Sequence, residues 1–560
     1  MKTAGACGCL LFLIIQALGV FSSDIDYIEY LNRTDPTKIQ LYEFRREHPN
    51  PIGILTTSAG KIVEIRETKT LNSEPYDNSY FVDLLTHWHA ERVPERIIYA
   101  KAAGAFGYFE VTNDVSKYTK AEVFNGVGKK TPVMVRVSTM LQNRGGTDLA
   151  RESKGFSVKF YTKEGNLDLL CLNMPVFFLN DPIDFPSLIH ALKRNPKPHL
   201  YDFNMVYDLL TKRPFSLYGY LWTMSDFGIP NTYRRMDAFA IHTYEINNKF
   251  GDRYFVKFNF RTEQGIENLP SDVAEKITVR DPDYYKRDLY NVIEKKQFPS
   301  WILEMDVMSL DDIKNIDYNP FDVGRIWKNG TYCTVPIGRL VLNRNPENAY
   351  RVAERVAFNP ANLVPGIPGP QDLLFKARRQ SYREAQIYRL GVNYNKIMVN
   401  APLYSKVYNR DGVAPVRDNM KDAPIYYPNS FSGPVPYVDP GQSNEKLIIY
   451  ESNAVDLEQP ALFYNKILRT DEERTRLAKN IAPTLVGVYP EIQKRLMRLL
   501  TLIDHRLGKD VEVLLAKELK KPHPKPPKVL SYSRNLKSQQ EFCPMKPDGH
   551  NNEDKAIDRE

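Results

Sequence analysis

Cysteine is nearly absent: the chain has 5 in 560 residues, and Cys7 and Cys9 sit at its extreme N-terminus. Cys171, Cys333 and Cys543 form an odd set without metal-ligand spacing, which excludes a disulfide scaffold and leaves room for one internal bridge at most. Cys171 lies in an apolar run and reads as a core thiol. Long apolar runs are missing too. The run from Cys9 to Phe21 is too short to cross a bilayer, and nothing after it reaches the ~18 apolar residues a span needs. With Lys2 before it and Val20 and Ser22 at the cleavage position, it reads as a secretory leader over residues 1–22. No charge of one sign dominates, since 76 Lys and Arg face 68 Asp and Glu and the excess of +8 is spread along the chain. That balance argues against a nucleic-acid or membrane partner. The dense basic stretch Lys520 to Lys528 is proline-stiffened and reads as a solvated tail.

Aromatic side chains, in contrast, are plentiful, with 34 Tyr and 27 Phe. They favour β-structure and flat ligand surfaces. Residues 23–94 are polar and mixed and read as an N-terminal arm. Over 95–345 a period of two prevails: Val133, Val135 and Val137 alternate with Met134, Arg136 and Ser138, which predicts a half-buried strand. Ser157 to Tyr161 and Leu167 to Leu172 flank Lys163-Glu-Gly-Asn166 as the arms of a hairpin, and Tyr254, Val256, Phe258 and Phe260 mark another strand face. Repeated hairpins predict an antiparallel barrel, whose closure removes exposed edges. Residues 346–460 are rich in Pro, Asn and Tyr and read as a wrapping segment with one helical island, Pro370 to Tyr388. Helical periodicity returns over 461–520, and 521–560 reads as a basic, disordered tail. The sequons Asn32-Arg-Thr34 and Asn329-Gly-Thr331 agree with export.

Several words stand in one register. They are Pro94-Glu-Arg-Ile-Ile-Tyr-Ala-Lys-Ala-Ala-Gly-Ala-Phe-Gly-Tyr-Phe-Glu-Val111, Arg151-Glu-Ser-Lys-Gly-Phe-Ser-Val-Lys-Phe-Tyr161, Asp181-Pro-Ile-Asp-Phe-Pro186, Arg378-Arg-Gln-Ser-Tyr382 and Tyr426-Tyr-Pro-Asn-Ser430. Together they resemble the haem catalases of the monofunctional, tyrosine-ligated kind, over roughly residues 40 to 510. The resemblance implies an α+β fold: an eight-stranded antiparallel β-barrel with an N-terminal arm, a wrapping segment and a C-terminal helical domain. It also implies b-type haem, hydrogen peroxide or another small haem ligand as partner, and a homo-oligomer, a tetramer in the family.

Carried over residue by residue, Tyr382 is the iron ligand and Arg378, four residues before it on one helix face, is the cation that a ligating phenolate needs. Arg96, Arg136 and Arg389 take the propionates, because a buried anion requires paired cations. Phe177 and Phe185 line the ring. Ser138 stands beside the distal pocket and Asp148 in the peroxide channel. Two positions depart from the family: Tyr99 stands where the catalytic histidine belongs and Leu172 where the peroxide-holding asparagine belongs. A neutral phenol is a poor base and leucine offers no hydrogen bond, so the expectation is an exported haem-binding homologue with absent or strongly reduced catalase activity. The alternatives are an active catalase or weak peroxidase working through haem and Tyr382, and a haem-free structural or partner-binding protein. Tyr218 and Phe227 replace a histidine and an arginine of the family's NADPH site, so bound NADPH is not expected. His89 has no family counterpart, and His87 matches a histidine that is not the catalytic one.

Overall fold

The structure is a computed structural model that describes residues 27–71, 77–413, 419–439 and 456–521. The leader, Cys543 and most of the basic tail lie outside the described residues.

Ten strands make one sheet: β1 (Ala102–Val111), β2 (Lys130–Thr139), β3 (Lys154–Thr162), β4 (Gly165–Leu172), β5 (Ala238–Phe239), β6 (Tyr244–Asn247), β7 (Arg253–Thr262), β8 (Ser300–Ser309), β9 (Cys333–Arg344) and β10 (Gly369–Pro370). Pairing runs β1-β2-β3-β4-β5-β7-β8-β9 and returns from β9 to β1, antiparallel throughout, so eight strands close into a barrel. Closure leaves no hydrogen-bonding edge along that ring. Outside the ring, β6 pairs with β7, and β10 pairs with β6. The tight β3–β4 hairpin turns at Gly165, whose φ of +118° only glycine adopts readily.

Val133, Val135 and Val137 of β2 point into the barrel, where they meet Phe109, Phe156, Phe258 and Trp301. The sequence pattern predicts solvent on the opposite face. The structure corrects this: Met134, Arg136 and Ser138 are buried as well. The chain that follows the barrel comes back over this face. Met134 packs with Val356, Phe358 and Val399 from that returning segment, and with Tyr161 and Leu170 of the neighbouring strands.

The helical island forms as Leu373–Leu390, with Asp372 capping it through Phe375 N. The periodic stretch after 489 resolves into two helices, Pro490–Ile503 and His505–Glu518. Asp504 breaks it, leaving helical geometry to cap the second helix. Within 95–345 the strands are interrupted by helices that the two-residue period does not announce, including Leu217–Met224 and Tyr284–Glu294. Among the described residues no helix is long and apolar enough to cross a membrane.

Candidate functional site

The outward face of β2, β3 and β4 and the helix Leu373–Leu390 define the site. Ser138, Gly155 and Leu172 are direct cross-strand partners, so they lie in one row on one face. Tyr99, just before β1, lays its ring on this row. A Cβ added to Gly155 would fall 3.0 Å from Tyr99 Cδ1 and 2.6 Å from Ser138 Oγ, so a glycine is required there. Tyr99 N donates to Met140 O at 2.8 Å, and the residue is held at φ 62°, a left-handed conformation rare for a side chain of this size. Burial raises the pKa of its phenol, and the Tyr382 phenol adds to the shift. The two tyrosines therefore sense each other from the two sides of the site.

On the Tyr382 side a relay of buried polar groups appears. Asp372 Oδ2 meets His242 Nδ1 at 2.9 Å, and His242 Nε2 lies 2.6 Å from an Arg378 Nη. The other Arg378 Nη donates to Tyr382 Oη at 3.4 Å, and the guanidinium also lies 5.4 Å from the Tyr382 ring centre. Burial lowers the His242 pKa against the pull of Asp372, so the imidazole is neutral and can accept from Arg378. Burial opposes the charge on Arg378, and the Tyr382 phenol together with Tyr244 and Tyr99 more than offsets it. Ile241, directly before His242, is also left-handed, at φ 56°. A β-branched residue there is strained, and such strain gathers at functional sites.

Between these sides stands a group of cations. Arg136, 4% exposed, donates to Tyr99 O and Ala100 O at 2.7 and 3.2 Å, while its Nε has no partner. Arg389 donates to Pro94 O, Glu354 O and Gln386 Oε1, and Arg96 donates to Val356 O at 2.6 Å. Burial lowers the pKa of Arg136 and of Arg389 to about 10. Arg96 is lowered by burial first and then by repulsion from Arg136 and Arg389. Glu354 is the acid that answers this group, and it is shared with Arg144 at 3.3 Å. Three guanidiniums satisfied mostly by carbonyls, with one buried N–H left over, fit a dianion with two carboxylate arms. Phe177 and Phe185 stack nearly parallel nearby, 6.3 Å apart at an interplanar angle of 14°.

The remaining candidates separate. Leu172 is buried within the helical-side core. Asn173 faces away from any ligand role: it accepts from Lys154 N at 2.7 Å and donates to Phe227 O at 2.9 Å. Asp148 is fully buried in another network, with Lys286 N and the Tyr233 hydroxyl at 3.2 and 3.5 Å. The acid that the Tyr99 phenol feels is Glu152. His87 and His89 lie on the exposed helix Ser79–Ala90. Tyr218 and Phe227 join Trp222 and Phe463 in an aromatic cluster.

The catalase family profile matches residues 56–433, and a second profile, described as catalase-related immune-responsive, matches residues 451–515. The chain is 39% identical to the catalase of Mus musculus over 86% of its own length and 94% of that protein. It is 43% identical to the catalase of Danio rerio over 78% and 84%. This chain belongs to the catalase family. Catalase A from Saccharomyces cerevisiae superposes with a TM-score of 0.79 at 34% identity, covering 83% of this chain and 99% of that one.

Sequence reasoning about this catalase-family chain missed His242, Asp372 and Glu152. His242 and Asp372 are 130 residues apart, and no local spacing links them. One signal existed for Glu152, an acid inside a strand-forming word, where a charge must be either exposed or used.

Proposed function

We propose that this chain is an exported, haem-binding member of the catalase family in which hydrogen peroxide dismutation is absent or strongly reduced. The observation that carries this reading is the wall opposite Tyr382, where Tyr99 and Leu172 stand. Tyr382, supported by Arg378, would hold the iron of b-type haem, Arg96, Arg136 and Arg389 the propionates, and Phe177 and Phe185 would flank the ring. Haem supplies, when bound, an iron centre that polarises peroxide. Dismutation also needs a group that takes a proton from one peroxide oxygen and returns it to the other, worth about 10²–10⁴-fold. A phenol that burial has pushed up keeps its proton, so Tyr99 donates where a base is required. Leu172 cannot orient a peroxide at all.

The visible spectrum of the purified protein, taken with and without peroxide alongside oxygen evolution, tests the reading. Haem absorbance with oxygen evolution at least ~100-fold below that of an active catalase supports it. Kinship at up to 43% identity supports a second reading, a working catalase, and oxygen evolution at the ordinary catalase rate would establish that one instead.

Export rests on the leader pattern and on the exposure of Asn32 and Asn329. It predicts a mature N-terminus near Ser23 and a glycosidase-sensitive mass, and an intact leader on intracellular protein would overturn it. The apolar surface of the arm, with Trp88, Ile62 and Ile65 exposed, supports a homo-oligomer. The aromatic packing around Tyr218 and Phe227 supports a chain that works without NADPH.

A further inference from the structure

We infer that Glu152 is the proton acceptor of the distal pocket: its unpaired carboxylate oxygen takes up the proton that a protic ligand gives away on binding. This rests on the haem-binding reading and names the group that handles protons within it.

Glu152 is 2% exposed, and half of its carboxylate is accounted for. Oε2 accepts from Leu141 N at 2.9 Å. The Gln142 N–H and side-chain amide lie close enough to stabilise the charged carboxylate, although neither meets Oε1 in full hydrogen-bond geometry. A buried carboxylate oxygen without a partner is costly and calls for a reason. Its position supplies one. Met140 O receives the Tyr99 N–H and the next residue, Leu141, gives its N–H to Glu152, so one short segment after β2 holds both the Tyr99 backbone and the carboxylate. Ser153 follows Glu152. Its hydroxyl contacts Met140 Sδ at 2.9 Å and assists the Tyr99 phenol.

The charges around Glu152 leave it free to titrate. Lys154, Lys193, Tyr99, Tyr233 and Tyr285 all feel it. Lys154 spends its ammonium on Ala150 O and Asp148 O, at 2.6 and 3.2 Å, so it moderates the carboxylate from a distance and forms no ion pair with it. Burial raises the Glu152 pKa and Lys154 draws it back, the pattern of a carboxylate moved toward neutral pH. Burial raises the Tyr99 phenol too, so it keeps its proton and can only donate. The roles then follow from ordinary acidity: the phenol donates, and the carboxylate, the stronger acid of the two, is the one that can stand ionised and accept.

Hydrogen cyanide is the probe because its proton must leave when the anion stays on iron. The H–C bond breaks, the electron pair remains on carbon, and the proton goes to Glu152 Oε1. The haem-loaded full chain is titrated with cyanide at pH 7, in weak buffer with an indicator dye, while binding is followed by absorbance. Wild type is expected to release no proton to solvent, Glu152→Gln about one per cyanide bound, and Glu152→Asp an intermediate fraction. Should Glu152→Gln fail to fold, difference infrared spectroscopy on wild type serves instead: cyanide should bring in the carbonyl stretch of a protonated carboxylic acid, shifted in heavy water. Proton release by wild type equal to that of Glu152→Gln, or proton uptake by both, overturns the inference, as does a wild-type spectrum without the carboxylic acid band. Failure to take up haem removes the reading beneath it and the inference together.

Discussion

Tyr99 holds a left-handed backbone at φ 62° with its ring pressed on Gly155. Histidine tolerates that region better than most non-glycine residues, so Tyr99→His relieves strain while restoring a base. Leu172→Asn returns an amide to the same wall, on the strand beside Gly155. Groups that act as a unit are strongly non-additive, so the double variant should raise peroxide turnover by more than the two singles combined. Burying the new amide costs about 1–3 kcal/mol if it finds no partner, which makes melting and haem content necessary controls. Wild-type turnover equal to that of the double variant would show that the distal change is not limiting. On the other side, Tyr382→Phe removes the phenol that Arg378 supports. The haem spectrum should lose its phenolate signature, and an unchanged spectrum would mean that another residue ligates the iron.

The pH dependence of stability offers a test on Glu152 that needs no haem. Burial raises its pKa from the ordinary 4.5, so between that value and the native pKa the folded chain holds a proton that the unfolded chain has lost. The contribution is complete below 4.5 and is lost as pH rises through the native pKa. Glu152→Gln deletes this slope. Its unfolding midpoint in urea should therefore gain on wild type as pH climbs above 4.5, and parallel midpoints would mean that Glu152 does not titrate in the folded state. At this scale Arg378 and Tyr382 were legible as neighbours, because they stand four apart on one helix, whereas Arg96, Arg136 and Arg389 stood out only through the family resemblance. Glu152 and the His242–Asp372 pair were not legible, since their roles come from partners that only the tertiary fold supplies.

At the level of elements, three chain segments deliver like charges to one place: Arg96 from the approach to β1, Arg136 from β2 and Arg389 from the last turn of Leu373–Leu390. Without an anion this convergence is repulsive. Arg96→Met should therefore leave the melting temperature of the haem-free protein unchanged or raise it, while weakening haem uptake by roughly tenfold or more, about 1.4 kcal/mol. Melting curves with and without haem read both effects. A variant that destabilises the haem-free chain and binds haem normally would make Arg96 a packing residue. β2, β3, β4 and β7 were readable from their period of two, and the helix Leu373–Leu390 as an island set at Pro370 to Tyr388, whereas the short β5, β6 and β10 left no such signal. The burial of both faces of β2 was not, because a polar outward face looks the same in sequence whether water or a returning chain covers it.

The whole molecule poses the question of what covers the arm. The helix Ser79–Ala90 has the sequence Ser-Tyr-Phe-Val-Asp-Leu-Leu-Thr-His-Trp-His-Ala, yet none of its residues is buried. Trp88 is 62% exposed, and Ile62 and Ile65 are open to a similar degree. A helix this apolar on an otherwise charged chain is stable in water only when its apolar side is covered, and an exposed patch of this kind marks an interface. The anchor at the other end of the arm is polar and well formed. Asp35 accepts from Thr37 and Asn291, and these bonds, with Arg287 and Lys38, lower its pKa to about 2 against the effect of burial, so the start of the arm is fixed to the helix Tyr284–Glu294. A segment fixed at one end and apolar further along suits a second copy of the same chain, which presents the same surfaces in return. The expected species is therefore a homo-oligomer, four copies by family resemblance. Leu84→Glu with Trp88→Glu places charge on the open helix at no cost to a buried core, so it should reduce the mass seen by light scattering to that of one chain, at most 64.7 kDa, without loss of helical signal. If wild type already runs at that mass, the apolar arm serves some other partner and the self-association reading falls.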